Sequence, residues 1–281
     1  MSSSQDRTAF EPSEKNAESD SIAGGRGARD RAVVAVTLGL AACFVGLHQL
    51  VPYDGAISRW AVSLIRERRL GGDVVRELEA LQQYGQGAVT ILVVWSIWLL
   101  QPALRRRLLD WVFAIVLASL IGYPAKMLIG RPRPKFGDPE HFLGPFGVYP
   151  VSEETGLRHA WEIGSGISSD LWSMPSSHTL FAVVMSSMLW VWYPRLRPVA
   201  VTMVVLVGVS RILFGAHYLT DVLVGGAMGA LIAVPAARHH LGVRYVDWVW
   251  GRLVDRDATP ALPGLVESEQ RSRFRELPGR D

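Results

Sequence analysis

The chain has 281 residues, 49% hydrophobic and 20% charged, with a formal net charge of +3. Its apolar residues are bunched into blocks near the ~20-residue length that crosses a bilayer, which excludes an ordinary soluble fold. The small net charge gives no case for a nucleic-acid partner, and the single cysteine, Cys43, excludes a disulfide framework or a thiolate metal site.

Residues 1–31 are polar, lack apolar periodicity and read as a disordered tail. Residues 32–51 form the first predicted span, retained because no clear cleavage site follows it. In 54–86, Ile57, Trp60, Ala61, Leu64 and Ile65 recur at helical spacing, with Arg59, Arg66 and Arg68 opposite. Gly71-Gly72 interrupts that pattern, and Asp73 is placed to cap a second short helix. Both pieces suit amphipathic helices lying at the membrane surface or packed on the bundle. Further spans are predicted over 87–100, 108–130 with a kink at Pro124, within 175–193, over 199–214, and over 218–234 closed by Pro235. A long polar loop, 131–174, separates the third from the fourth. Residues 239–281 read as a polar tail whose Tyr245, Trp248 and Trp250 suit a bilayer surface. The expected fold is an all-α integral membrane bundle of six transmembrane helices over 32–238, with interfacial amphipathic helices between the first two.

Trp95, Trp98, Trp111, Trp190, Trp192 and Tyr193 flank two short turns carrying Arg105, Arg106, Arg107, Arg195 and Arg197. Interfacial aromatics and the positive-inside tendency make that face cytoplasmic. The 131–174 loop and the turn before residue 221 then lie on the outer face of a plasma (inner) membrane.

Three clusters at the outer ends carry the chemistry. Lys126, Arg131 and Arg133, alternating with Pro132 and Pro134, offer a point charge and planar forks suited to phosphate oxygens, or simply to interfacial snorkelling. Pro175-Ser176-Ser177-His178 opens a span, where free N–H groups and the helix dipole attract anions; Ser176 also suits a helix cap. Arg211, His217 and Asp221 sit between two apolar runs, and a charge at that depth costs about 2.5–3.5 kcal/mol unless it has a partner or a task. His217 and Asp221 are four apart, the spacing that lets a carboxylate orient an imidazole. Arg211 also suits a salt bridge to Asp221 or Asp170.

Taken jointly, these clusters resemble the signature of the type 2 phosphatidate phosphatases, the lipid phosphate phosphatases. Lys126 with Arg133-Pro134 matches the first motif. Pro175 to His178 matches the second, with Ser177 where the family has Gly. Ser210-Arg211, His217 and Asp221 match the third. The resemblance covers roughly 108–234. It implies a metal-independent hydrolase without cofactors. His217 would attack phosphorus to give a phosphohistidine, Asp221 would hold the other ring nitrogen, and His178 would protonate the leaving group and then activate water. Lys126, Arg133, Ser176, Ser177 and Arg211 would bind the phosphoryl oxygens, with Arg131 in support. The substrate would be a membrane lipid phosphate such as phosphatidate, phosphatidylglycerol phosphate or undecaprenyl diphosphate. The loop residues Glu153, Glu154, Arg158, His159 and Trp161 are placed to shape head-group choice. Transfer of the phosphoryl group to an acceptor lipid, or anion binding or transport without turnover, would use the same residues. Gly225-Gly226-Ala227-Met228-Gly229 suits close helix packing within the bundle. Nothing in the pattern sets an oligomeric state.

Overall fold

The computed structural model describes residues 45–152, 156–162 and 168–275. The chain forms two compact units, one ending at Leu50 and one spanning Val51–Asp281. The N-terminal tail, most of the first predicted span, Cys43, Glu153 and Glu154 lie outside the described residues; 45–50 are helical.

In the second unit, helix α1 covers 51–66. Its buried residues Asp54, Ser58 and Ala61 follow the helical i, i+4, i+7 spacing, while Trp60, expected on the packed face, is 60% exposed. The helical period is right, but the buried stripe is rotated so that a carboxylate points inward. Helix α2, Gly72–Leu81, begins after Gly71 with no side-chain cap. Asp73 is therefore not the cap; it sits inside the first turn and pairs with Arg76.

Helix α3 covers Gly87–Leu100 and α4 Leu108–Ile129, running through Pro124 to a left-handed Gly130. The long loop holds a small antiparallel hairpin, β1 (Tyr149–Ser152) with β2 (Gly156–Arg158). Helices α5 (Ser177–Trp192), α6 (Arg197–Leu213) and α7 (Leu219–His239) complete the bundle. Pro235 does not close α7. A proline removes one ladder bond, and packing inside the bundle carries the helix another turn.

The C-terminal stretch is helical rather than a plain polar tail, with α8 at Leu241–Leu253 and α9 at Ala261–Arg275. Distant carboxylates start both helices. Asp110 Oδ1 accepts from Gly242 N at 2.9 Å and Val243 N at 3.1 Å, and Asp247 accepts from Ala261 N at 3.0 Å and Leu262 N at 2.9 Å.

Among the described residues, three helices are long and apolar enough to cross a membrane: Leu108–Phe136 and Pro194–Leu213, both counted with adjoining turns, and Leu219–His239. Gly87–Leu100 and Ser177–Trp192 are apolar but shorter. Large aliphatic side chains stay uncovered on the outside, among them Ile91, Leu100, Leu120, Val205 and Leu231. Such a belt is stable in hydrocarbon and not in water. The fold is all-α and membrane-embedded. Helix α5 is its centre, packed on α4, α6 and α7, with Leu180, Met185 and Met188 meeting Trp111, Ala233 and Ala236. Trp111 is thus a core residue, edge-on to Trp192 at 5.9 Å, and not part of the expected interfacial set. Trp95, Trp98 and Trp190 are exposed, with Arg105 over Trp98 at 5.2 Å and Arg197 over Trp190 at 5.1 Å.

The glycine run sets the distance between α5 and α7. A methyl added at Gly225 would strike Ser176 O, and one at Gly229 would lie 2.6 Å from Leu180 O. These glycines therefore pack within the bundle. Gly229→Ala is expected to lower stability by about 1–3 kcal/mol through overpacking. Gly226→Ala, whose methyl would meet its nearest atom at 3.7 Å, should be nearly silent. Thermal midpoints of both variants in detergent check this.

Candidate active site

The end of α6 positions His217, the candidate nucleophile. Gly215 takes φ +61°, a conformation that glycine adopts without strain, and the chain folds back so that Ala216 N and His217 N both donate to Arg211 O, at 3.1 and 3.2 Å. Tyr218 then caps α7, its N–H donating to Asp221 Oδ2 at 2.8 Å. His217 precedes the helix and does not share a helical face with Asp221.

His217 Nδ1 lies 2.6 Å from Ser173 O and 3.8 Å from Asp221 Oδ2. The expected Asp221–imidazole hydrogen bond is therefore replaced by a backbone carbonyl. The Asp221 carboxylate is already occupied by Tyr218 N, the Ser173 hydroxyl and Arg131. A carbonyl only accepts, so Nδ1 carries the proton and Nε2 carries the lone pair. His217 is 2% exposed, and burial holds its pKa down to about 4; Asp221 opposes that shift, while Lys126 and Arg211 add to it. At neutral pH the ring is an uncharged base.

Arg131 has a different place from the one expected. It is fully buried: Nη1 donates to Asp221 Oδ1 at 2.6 Å and Thr220 Oγ1 at 2.8 Å, and Nη2 to Asp54 Oδ2 at 2.8 Å. Its guanidinium lies 4.4 Å from the centre of the Tyr218 ring. Asp54 also accepts from Thr220 N at 3.1 Å and from the Thr220 hydroxyl. Every site on the Arg131 fork is directed at protein groups, so it supports the site and does not offer itself to a ligand.

The other cations differ. Lys126 is 4% exposed, and its Nζ donates to Trp172 O at 2.8 Å. Arg133 Nε donates to Ser169 O at 2.7 Å. Arg211 Nη1 donates to Gln82 Oε1 at 2.6 Å, not to Asp221 or Asp170, and its Nε is buried without a hydrogen-bond partner. Among the described residues none of the three has a carboxylate within ion-pair distance. His178, half-buried in the first turn of α5, is within electrostatic reach of Lys126, Arg133, Arg211 and His217. Ser176 is fully buried; its N–H donates to Asp221 O at 3.0 Å, and its hydroxyl accepts from Thr179 Oγ1 at 3.2 Å rather than capping the helix. Ser177 begins α5, where the first N–H groups have no intrahelical partner. The structure thus gathers Lys126, Arg133, Ser176, Ser177, His178, Arg211, His217 and Asp221 at one end of α5, α6 and α7.

Sequence reasoning missed Asp54, Gln82, Ser173, Thr220 and the carbonyls of Ser169 and Trp172. Asp54 looked like one of several acids balancing surface arginines. Backbone carbonyls leave no mark in sequence at all.

The fold is thus a helical membrane bundle with a cluster of basic side chains and two histidines at one end. Residues 107–244, just under half of the chain, match the PAP2 superfamily model. It is 28% identical over 125 residues to a lipid A 1-phosphatase of Rhizobium johnstonii, covering 44% of each chain. It is 29% identical over 126 residues to a lipid A 1-phosphatase of Rhizobium etli, covering 45% of each. The matched segment thus spans less than half the length of these relatives. Among solved structures, Aquifex aeolicus LpxE superposes with a TM-score of 0.46 at 16% identity, over 64% of this chain and 92% of that one. A transmembrane PAP2 type phosphatidylglycerolphosphate phosphatase from Bacillus subtilis superposes at 0.48 and 20% identity, over 71% and 94%.

Removing one partner of a buried ion pair strands the other charge, so Asp54→Ala should cost about 3–5 kcal/mol. Asp73→Ala, breaking an exposed pair, should cost under about 1 kcal/mol. Thermal or denaturant unfolding of both in detergent decides it. A second outcome concerns pH. The unfolded His217 ring protonates near the ordinary 6.5 and the folded ring only near 4, so the unfolded state binds more protons between those values. His217 therefore makes stability fall as pH drops across that window. His217→Asn should show a shallower decline in midpoint there than the parent; equal slopes would refute the assignment.

Proposed function

We propose that this chain is a membrane-integral phosphatase that releases phosphate from a lipid phosphate or diphosphate through a phosphohistidine. One observation carries this reading. Three cations, Lys126, Arg133 and Arg211, gather around His178, with Lys126 and Arg211 also beside the neutral His217 ring, and none has a carboxylate within ion-pair distance among the described residues, while the neighbouring Arg131 is fully paired. Gathering unpaired cations in a low-dielectric site is costly, and an anionic ligand offsets that cost.

In the proposed reaction, Lys126, Arg133, Arg211, the Ser176 hydroxyl and the Ser177 N–H bind the phosphoryl oxygens. His217 Nε2 attacks phosphorus; a P–N bond forms as the P–O bond to the leaving group breaks. The Ser173 carbonyl holds the Nδ1 proton, and Asp221 at 3.8 Å stabilises the ring's positive charge. His178 donates a proton to the departing oxygen, then takes one from the water that cleaves the P–N bond. Positioned cations supply most of the catalysis, as phosphoryl transfer requires. The membrane bundle and the lipid A 1-phosphatase relatives support a lipid-borne phosphate. In this reading the bundle has six spans over 32–238, and the site faces the outer side of the plasma membrane.

The test separates the two histidines. His217→Ala should abolish phosphate release from a detergent-solubilised lipid phosphate, measured with chelator present. His178→Ala, given an aryl phosphate whose leaving group needs no proton, should accumulate acid-labile, alkali-stable phosphate on His217. Full turnover by His217→Ala would overturn the mechanism. Phosphate appearing on an added lipid alcohol instead of in solution would make the chain a phosphotransferase. Anion binding with no turnover of any phosphate ester would leave a binding or transport role.

A further inference from the structure

Beside the basic pocket lies a second cavity of about 360 Å³, lined by Ser58, Arg59, Val62 and Arg66 of α1, by Pro134-Lys135, and by Phe214-Gly215. Two of its walls continue the pocket. Pro134 follows Arg133 directly, and Gly215 lies two residues before His217. Helix α1 is seated firmly against that wall, since a methyl added at Gly215 would come within 3.0 Å of Val62 Cγ2. Asp54, one helical turn before Ser58, ties the same helix to Arg131 and Thr220.

The cavity is basic, and no acidic residue lines it. Lys135 is neutralised by Asp170 at 2.7 Å. Arg59 and Arg66, seven apart and so on one helix face, are exposed and make no ion pair among the described residues. Ser58 is buried and lines the same space. All three lie outside the segment that matches the superfamily model.

We infer that this cavity is a subsite for a second anionic group of the substrate, held by Arg59 and Arg66 and distinct from the phosphate that is cleaved. The inference rests on the proposed phosphatase reading and narrows its substrate class. In that reading Lys126, Arg133 and Arg211 already serve the scissile phosphoryl group, and the cavity is lined by the residues that follow Arg133 and precede His217, with neither of those two in its wall. It therefore suits a phosphodiester or second phosphate several bonds away, in a head group that reaches sideways along the membrane surface. Directly bonded diphosphates would place both phosphorus atoms within the first pocket. Planar guanidinium forks suit such an oxyanion.

The experiment uses the full chain in detergent with three lipids: phosphatidate and phosphatidylglycerol phosphate of matched acyl chains, the latter carrying a phosphodiester besides its phosphomonoester, and a prenyl diphosphate. The double variant Arg59→Ala/Arg66→Ala should lower kcat/KM for phosphatidylglycerol phosphate about tenfold more than for phosphatidate, mostly in KM, the size expected for one lost charge-assisted contact. Arg59→Lys/Arg66→Lys should recover part of that ratio. An equal effect on all three lipids, or none, overturns the subsite. A loss greatest for the prenyl diphosphate also overturns it and makes the arginines part of the scissile-phosphate pocket. Failure of the parent chain to cleave any of the three refutes the phosphatase reading instead.

Discussion

The site depends on one buried guanidinium. Arg131 joins Asp54 on α1 to Thr220 and Asp221 on α7. Each contact is short and each group is shut off from water, so the arrangement tolerates little displacement. Asp221 in turn holds the N-terminus of α7 and the Ser173 hydroxyl, and Ser173 O holds His217. The orientation of the imidazole is thus set through a chain of contacts that begins on a helix more than 150 residues earlier in sequence. Buried ion pairs contribute little net stability against apolar packing, but they penalise every alternative geometry strongly. Fixing one geometry is what the nucleophilic role proposed for His217 requires.

Two kinds of cation stand side by side here. Arg131 is matched by two carboxylates. Lys126, Arg133 and Arg211 donate to neutral oxygens only: the carbonyls of Trp172 and Ser169 and the amide of Gln82. Neutral acceptors orient a cation without cancelling its charge. The stretch 169–173 therefore acts as a rack, holding two cations and the imidazole by backbone carbonyls and leaving the charges available. The same arrangement keeps the imidazole neutral, because Lys126 and Arg211 repel a proton that Asp221 would otherwise attract.

Much of this was legible in the sequence, and the parts that were not share a cause. The apolar blocks gave the helices of the bundle, and the spacing of Lys126, Arg133, His178, Arg211 and His217 implied one pocket. Those signals are local or motif-borne. Asp54 was read as a surface acid because its partners are 77 and 166 residues away. The helices after His240 were read as a tail because their N–H groups are received by Asp110 and Asp247, which no local pattern reveals. Arg131 and Arg133 sit two apart and look equivalent. Only the fold shows that one is enclosed by acids and the other held by a backbone carbonyl. Asp221 seemed a direct partner of His217 by its spacing, but the turn at Gly215 leaves His217 outside the helix, and a carbonyl takes the ring proton.

Helix α1 gains a double role from this geometry. Its Asp54 end reaches into the bundle and fixes the residues around His217, while its Arg59 and Arg66 side stays open beside the same pocket. A rigid inward anchor makes the outward face a defined wall rather than a loose flap. Because Arg59 and Arg66 are exposed while Asp54 is buried, the outward residues of α1 can change without disturbing the cations proposed to hold the scissile phosphate, provided Asp54 keeps Arg131. In the proposed reading, catalysis and head-group recognition are carried by different faces of one anchored helix and the bundle it packs on, and substitutions on the two faces should act independently.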